Sequence, residues 1–459
     1  MNKFEPSDLD AVIKAYDIRG KVPQQLTTEL VTAVGAAFVR LLKSQGSQEV
    51  CTLVVGEDMR PTSPELVSAF AEGANSQGAN VIRIGLAATD QLYFASGSLN
   101  LPGAMFTASH NPADYNGIKL CRAGAAPVGE DSGLRSIRED LVAGVPQWSG
   151  TQGTTTFHDV LVEYATHLLS LVDVANIRPL TVAVDAGNGM GGHTAPAVLG
   201  RLPLKIVPLY FELDGTFPNH EANPIDPANL RDLQAAVIAN KADIGLAFDG
   251  DADRCFIVDE LGQIVSPSTL TGLIAKNELQ VHKGAKIIHN LITSRSVSEV
   301  ILENGGIPVR TRVGHSFIKA EMAATGAVFG GEHSGHFYFA DFWNADSGML
   351  AALHAISVLG NSTQPLSEIL KPFIRYVDSG EINSPVVDSQ AITLRVKGAF
   401  ETREGVSLDF LDGMTVSTKE WWFNLRPSNT EPLLRLNVEA KTDVQMRSIR
   451  DEVLNLVRS

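Results

Sequence analysis

The chain repeats one rhythm: a short apolar run, a Gly- or Asp-rich loop, then a segment of helical period. Residues 27–44 put Leu30, Val34, Phe38 and Leu41 on one stripe behind Thr27 or Thr28 as N-cap, which predicts a helix. Residues 51–55 predict a buried strand that runs into Gly56-Glu57-Asp58-Met59-Arg60, and a helix opens near Ser63-Pro64-Glu65. Strands follow at 181–184, 244–248 and 286–288, leading into the loops at 185–189, 249–254 and 293–295. This alternation predicts α/β units with mostly parallel sheets, whose ligands sit at the carboxyl ends of the strands. The last segment differs. Residues 421–426 and 434–438 are strand-like around a polar turn, and a helix over about 443–457 closes the chain, which predicts a smaller α+β domain.

At 459 residues the chain exceeds one compact core. Gly150-Thr151-Gln152-Gly153-Thr154 is a polar linker, and further breaks are expected at 259–262 and 365–372. The expected domains are 1–153, 154–259, 260–369 and 370–459. A net charge of −15 argues against a nucleic-acid binder, which needs a basic face, but leaves room for a local basic pocket that takes an anionic small molecule. Cys51, Cys121 and Cys255 have neither metal-type nor disulfide-framework spacing and are expected to be buried thiols in a reducing compartment. The N-terminus carries no secretory pattern, and no apolar run spans a bilayer, so a cytoplasmic protein without membrane partners is expected.

Two motifs carry most of the chemistry. Thr107-Ala108-Ser109-His110-Asn111-Pro112, followed by Asn116, Gly117 and Lys119, sets a hydroxyl beside an imidazole, an amide and an ammonium. A serine hydroxyl is a poor nucleophile at neutral pH and needs such neighbours to carry a phosphoryl group. Taken alone, the same residues also suit a structural turn. Asp249-Gly250-Asp251-Ala252-Asp253-Arg254 puts three carboxylates on alternate positions after an apolar strand. Close carboxylates repel unless a cation bridges them, and this set suits Mg²⁺ bridging to a phosphate.

Weaker signals surround these two. Gly331-Glu332-His333-Ser334-Gly335-His336 offers groups that grip sugar hydroxyls or move a proton, or else a polar hairpin. Arg426-Pro427-Ser428-Asn429-Thr430 matches the acceptors of a phosphate, while Arg435 reads as a face charge on the next strand. Two other classes stay open. An EF-hand calcium loop would place Glu260 at its twelfth position, but Arg254 stands where that loop needs Gly. Gly187-x-Gly189-x-x-Gly192, with Glu212 about 20 residues on, fits a dinucleotide fingerprint and hence an NAD(P)-dependent oxidoreductase. His193-Thr194-Ala195-Pro196 is a poor helix start, which favours a structural glycine turn.

In chain order, Tyr16-Asp17-Ile18-Arg19-Gly20, the serine and aspartate motifs, the 331–336 loop and the 426–430 loop resemble the α-D-phosphohexomutase superfamily over essentially the whole chain. The first and fourth of these segments look most like its phosphomannomutase/phosphoglucomutase branch. The phosphoglucosamine mutase branch, the alternative within the superfamily, usually shows Gln where this chain has His333. The resemblance implies three related α/β domains and a smaller mobile fourth around a central cleft. It implies interconversion of hexose 1- and 6-phosphates through a phosphoserine, with hexose 1,6-bisphosphate as intermediate and activator.

By the match of motifs, Ser109 would be the phosphoserine, and Asp249, Asp251 and Asp253 would hold Mg²⁺ with one of its oxygens. Glu332 and Ser334 would read sugar O3 and O4, and Arg426, Ser428, Asn429 and Thr430 would hold the non-reacting phosphate. Arg19, His110, Lys119, Arg254, His315 and His336 would line the reaction centre, with Tyr16 and Gly314 also binding substrate. Many relatives carry a basic residue roughly where this chain has Ile292, and His289 and Arg295 are the nearest bases.

Overall fold

The computed structural model describes residues 1–46, 52–428 and 433–459. The chain forms two compact units: Met1–Ser266 with Ser334–Ser367, and Pro267–His333 with Glu368–Ser459.

In the first unit, the strands Thr52–Glu57, Asn80–Leu86, Gly103–Phe106 and Thr155–Phe157 run parallel, as the strand–loop–helix rhythm predicts. Cys51, the expected first residue of this set, lies outside the described residues. The strand Tyr115–Arg122 then returns antiparallel beside Gly103–Phe106, and Ile18–Lys21 pairs antiparallel on its far side. A second sheet sets Ile244–Phe248 parallel to Leu180–Asp185 and antiparallel to Cys255–Asp259. The antiparallel share exceeds what the rhythm suggests because both chemical loops turn straight back into their own sheet. Phe248 pairs with Cys255, so Asp249 to Arg254 form the connection of a hairpin. That geometry leaves no helix–loop–helix, and the EF-hand reading falls.

The dinucleotide-type glycines form a structural turn. Gly187 and Asn188 have φ of 52° and 59°, and a Cβ on Gly189 would come within 2.7 Å of the Gly250 carbonyl oxygen. One detail corrects the sequence reading: the helix Gly191–Leu199 runs through His193 and keeps Pro196 inside it. Gly191 and Gly192 press this helix against Phe248 and Phe211, tertiary contacts that override the local cost of the proline.

The predicted helix at 27–44 is Thr28–Ser44, with the Thr27 side chain accepting from the Leu30 N–H as N-cap. It crosses the helix Ser63–Ser76 at almost bare backbone. A Cβ on Gly35 would lie 2.3 Å from the Phe70 carbonyl oxygen, and one on Gly73 would lie 1.8 Å from that of Thr32. Below the crossing, Phe70 packs on Phe38 and edge-on to Phe106, with centroids 6.3 and 5.5 Å apart. This core anchors the strand end from which the serine loop departs. Cys121 and Cys255 are buried, as expected.

In the second unit, Lys286–Asn290 lies between the parallel strands Ile307–Thr311 and Phe329–Gly331. The C-terminal part is an antiparallel sheet in the order Val377–Pro385, Leu433–Ala440, Trp421–Pro427, Met414–Ser417, Ser407–Asp409. The helices Ser389–Phe400 and Asp443–Arg458 supply Val396, Phe400, Ile449 and Val453 to its core. This is the α+β domain expected from the change of pattern. No helix among the described residues is long and apolar enough to cross a membrane.

The helix crossing gives a stability prediction. Gly73→Ala drives a methyl into the Thr32 carbonyl and is expected to cost about 1–3 kcal/mol, the usual range for overpacking. Urea unfolding of the variant and the wild type measures it.

Candidate active site

The serine loop is shaped by its own polar residues. Ser109 takes the left-handed conformation at φ 49°, rare for a non-glycine residue, and its N–H donates to Thr107 Oγ1 at 2.8 Å. The Asn111 N–H closes the turn on the Ala108 carbonyl at 3.0 Å. Gly117 admits the neighbouring strands, since a Cβ there would meet the carbonyl oxygens of Ile18 and Thr107 at 2.7 Å. The turn lifts Ser109 Oγ toward the aspartate loop.

That loop comes to meet it. Ser109 Oγ donates to Asp249 Oδ2 at 2.7 Å, and a Cβ on Gly250 would strike the Ser109 carbonyl oxygen at 2.3 Å. Arg254 closes the loop on itself, donating from its backbone N–H to Asp249 Oδ1 at 3.1 Å and from Nε to Oδ2 at 2.8 Å. Its Nη2 lies 3.3 Å from Ser109 Oγ and contacts His110 Nδ1. Lys119 reaches across from the next strand and donates to Asp251 Oδ2 and Asp253 Oδ2, both at 2.7 Å. His336 Nε2 stands 3.5 Å from Asp253 Oδ1, and His336 Nδ1 is 2.9 Å from Ser334 Oγ. Arg19 donates to Asn111 Oδ1 at 2.5 Å and pairs with Asp17. Tyr16 lies half-buried just ahead of Arg19's strand.

Burial sets the protonation states here. Asp249 is pushed up to about 8 by its removal from water, with Asp253 and Asp251 adding to the rise against Arg254. Burial also opposes the charge on Asp251, yet Lys119 and Thr89 hold that group well below the ordinary carboxylate range. Lys119 feels the same opposition and stays protonated because Asp251 and Asp253 outweigh it. Burial, then Arg254 and Arg19, push His110 down to about 2, so its imidazole is neutral.

Oxygens of Asp249, Asp251 and Asp253 lie within 4.8 Å of one another, and all three residues are buried. Oδ1 of Asp251 and Oδ1 of Asp253 accept no hydrogen bond. Orphaned carboxylate oxygens in a buried hard-donor set fit a divalent cation.

The sequence reading missed Thr89. Its Oγ1 donates to Asp251 Oδ2 at 2.7 Å, and its N–H donates to the Asp251 carbonyl at 2.9 Å. Thr89 opens the helix Thr89–Leu99 at a strand end, and that position was its only visible signal. Behind it, Asp90 accepts from Tyr164 at 2.8 Å and Ser347 at 2.6 Å, and burial raises it to about 7.

The second unit carries the other motif residues. Glu332 Oε1 accepts from Asn290 Nδ2 at 3.3 Å and from the Gly314 N–H at 3.2 Å, so Glu332 and Gly314 meet. His315 starts the helix His315–Thr325, and its side chain lies outside the described residues, as do Asn429 and Thr430. Arg426 pairs with Glu381 Oε2 at 2.6 Å. Arg435 lies on the strand Leu433–Ala440, where it pairs with Glu381 Oε1 of the neighbouring strand at 2.9 Å, and its Nη2 lies 3.4 Å from Ser428 Oγ.

Ile292 is buried with Leu291 and Trp422, so this position is an apolar wall. Burial pushes His289 down to about 4, leaving it neutral, and Arg295 Nη1 donates to the Lys419 carbonyl at 3.0 Å.

Known proteins match the chain along nearly its whole length. Family models described as phosphoglucomutase/phosphomannomutase alpha/beta/alpha domains I, II and III match residues 10–142, 162–262 and 266–376. The model of the family's C-terminal domain matches residues 381–456. A phosphomannomutase of Salmonella montevideo is 39% identical over 456 residues, covering 97% of this chain and 98% of that protein. A protein named phosphohexose mutases from Xanthomonas campestris pv. campestris is 39% identical over 448 residues, covering 97% and 98%. The crystal structure of a phosphoglucomutase/phosphomannomutase family protein from Burkholderia thailandensis superimposes with a TM-score of 0.88 at 32% identity, covering 98% of this chain and 97% of that one.

The carboxylate cluster yields a prediction that needs no substrate. A divalent cation at a hundred times its dissociation constant is expected to stabilise the fold by about 2.7 kcal/mol. Thermal unfolding in EDTA and in excess Mg²⁺ measures this, and Asp251→Asn is expected to remove most of the difference.

Proposed function

This chain belongs to the phosphoglucomutase/phosphomannomutase family, and on that premise we propose that it shifts a phosphoryl group between C1 and C6 of mannose and/or glucose phosphates, through phosphorylated Ser109 and a hexose 1,6-bisphosphate. The enzyme is an isomerase of the phosphohexomutase type. The observation that carries the site assignment is the 2.7 Å bond from Ser109 Oγ to Asp249, with Arg254 Nη2 3.3 Å from the same hydroxyl. A buried hydroxyl flanked by a carboxylate, a guanidinium and a neutral imidazole is equipped to take and give a phosphoryl group.

Asp249, Asp251 and Asp253, with an oxygen of phosphorylated Ser109, would hold Mg²⁺, which supplies positive charge against the phosphoryl oxygens. The chain's own residues do the rest. In the forward transfer the P–Oγ bond of Ser109 breaks, and a bond forms from phosphorus to a sugar hydroxyl oxygen. That hydroxyl gives up its proton, and the serine oxygen regains one. His110, 3.2 Å from Oγ, and His336 supply imidazoles for the passage. Arg254 and Lys119 balance the charge that spreads over the phosphoryl oxygens. The bisphosphorylated sugar then turns round and returns its other phosphate to Ser109, so the net change is a shift along the sugar.

The remaining roles are binding roles. Glu332, oriented by two donors, and Ser334, beside His336, would take sugar O3 and O4. Arg426, Ser428, Asn429 and Thr430 would take the non-reacting phosphate, with Arg19, Tyr16, Gly314 and His315 completing the substrate set. Contacts to O3 and O4 are indifferent to configuration at C2, which favours use of both mannose and glucose. Hexose 1,6-bisphosphate is the activator because it re-phosphorylates Ser109 whenever the intermediate escapes.

The proposed domain limits are 1–153, 154–259, 260–369 and 370–459. The strand pair Cys255–Asp259 and Ile264–Val265 supports moving the second limit to about 265. We place the enzyme in the cytoplasm, where phosphosugars are made and used.

The deciding experiment is a ³¹P NMR time course with mannose, glucose and glucosamine 1-phosphates offered separately, with Mg²⁺ and a trace of hexose 1,6-bisphosphate. The 6-phosphates of mannose and glucose are expected, with glucosamine slow; faster glucosamine conversion would reassign the branch. Ser109→Ala is expected to abolish turnover, and near-full activity in that variant would end the phosphoserine assignment. Asp251→Ala is expected to lower kcat by about 10²–10³-fold, the scale seen when one transition-state charge partner is removed, with the EDTA-treated wild type behaving alike.

A further inference from the structure

The serine loop rests on a buried cation that the mechanism has not used. Arg60 has no exposed side-chain surface, and its guanidinium donates to four carbonyls of the loop. Nη1 bonds the carbonyl oxygens of Pro112 and Tyr115 at 2.8 and 2.9 Å, and Nη2 bonds those of Ser109 and Asn111 at 2.9 and 2.7 Å. Nε faces Asp58 at 3.2 Å. Asp58 is itself fixed, since its Oδ1 accepts from the Arg60 N–H at 3.0 Å and from Ser63 Oγ at 2.7 Å. The Phe217 ring lies 5.2 Å from the guanidinium carbon, and Gly215 passes so close that a Cβ would stand 2.7 Å from Arg60 Cα.

Carbonyls that converge on one point inside a protein need several donors in one plane. A guanidinium supplies them in a rigid fork, and an ammonium on a flexible stem does not. The Ser109 carbonyl accepts from Nη2 at 2.9 Å, and the Gly250 backbone passes so close to it that a Cβ there would stand 2.3 Å away. The residue whose carbonyl is held in this way is the left-handed Ser109, φ 49°.

We propose that Arg60 is a positioning residue for phosphoryl transfer: by gathering the serine loop's carbonyls it fixes the backbone shape that aims Ser109 Oγ at Asp249 and Arg254. The inference rests on the reading of Ser109 as the phosphoryl carrier. Its consequence is a loop whose aim is set from underneath, by a residue that never meets the sugar.

The test is Arg60→Lys, which keeps the charge opposite Asp58 and loses the fork. Misplacing a reacting group by about 1 Å costs on the order of a hundredfold in rate. A kcat lower by about that factor is therefore expected, with KM within about threefold of the wild type. ³¹P NMR should still show the Ser109 phosphate after incubation with hexose 1,6-bisphosphate, and its single-turnover transfer to glucose 6-phosphate should slow by the same factor. A wild-type kcat in a folded Arg60→Lys enzyme overturns the proposal. So does a loss of activity that only follows the loss of folded protein in circular dichroism, which marks a purely structural role. Should the lysine variant not fold, Arg60→Gln, which keeps a planar pair of N–H donors without the charge, is held to the same criteria. The wild type's own phosphoserine signal, absent in Ser109→Ala, separates the two ideas. Its absence from the wild type sinks the phosphoserine reading, whereas its presence with unimpaired transfer in Arg60→Lys sinks the positioning role alone.

Discussion

Three carboxylates buried within 4.8 Å of one another are the constraint on which the rest of this site depends. Charges withdrawn from water must be paired or they shift toward neutrality. Lys119 and Arg254 supply two positive charges against the three negative ones, and the shortfall appears in Asp249, which rises toward neutrality. A divalent cation would reverse the imbalance, and a phosphorylated serine would then meet a site of net positive charge. On the proposed reading, the arrangement with its cation would suit a doubly charged phosphate more closely than a bare hydroxyl.

Backbone geometry makes that crowding feasible. Both chemical loops are short returns within mixed sheets, and each return depends on positions where a side chain has no room. Gly117 lets three backbone segments meet below the serine, and Gly250 lets the aspartate loop lean on the Ser109 carbonyl. Loops carrying this much charge would spread apart in solution. Here they are held by strands anchored in the Phe38–Phe70–Phe106 core on one side and by the Phe248–Cys255 hairpin on the other.

Much of this was legible in the sequence. The strand–loop–helix alternation located the elements, and the spacing of Asp249, Asp251 and Asp253 announced a cluster before any coordinate did. What was hidden shares one cause: the residues act through partners distant in the chain. Thr89 meets Asp251 across 162 positions, and Arg60 reaches the Ser109 carbonyl across 49, and neither sits in a pattern that periodicity or a short motif records. The Pro196 helix was misjudged because local propensity was set against tertiary packing by Phe211 and Phe248, and packing won.

Glu381 carries one more implication. Arg426 and Arg435 each hold one of its oxygens, so these guanidiniums already grip a counter-anion supplied by their own chain. On the proposed reading of Arg426 as a phosphate ligand, an arriving phosphate would be a rival to that carboxylate, and its affinity would be a difference between two anions, not the full strength of an arginine–phosphate pair. The proposed turn of a bisphosphorylated sugar, which lets go of one end and presents the other, would gain from such built-in competition. Under that reading unopposed arginines would make a trap, and the tethered competitor would turn the trap into a revolving door.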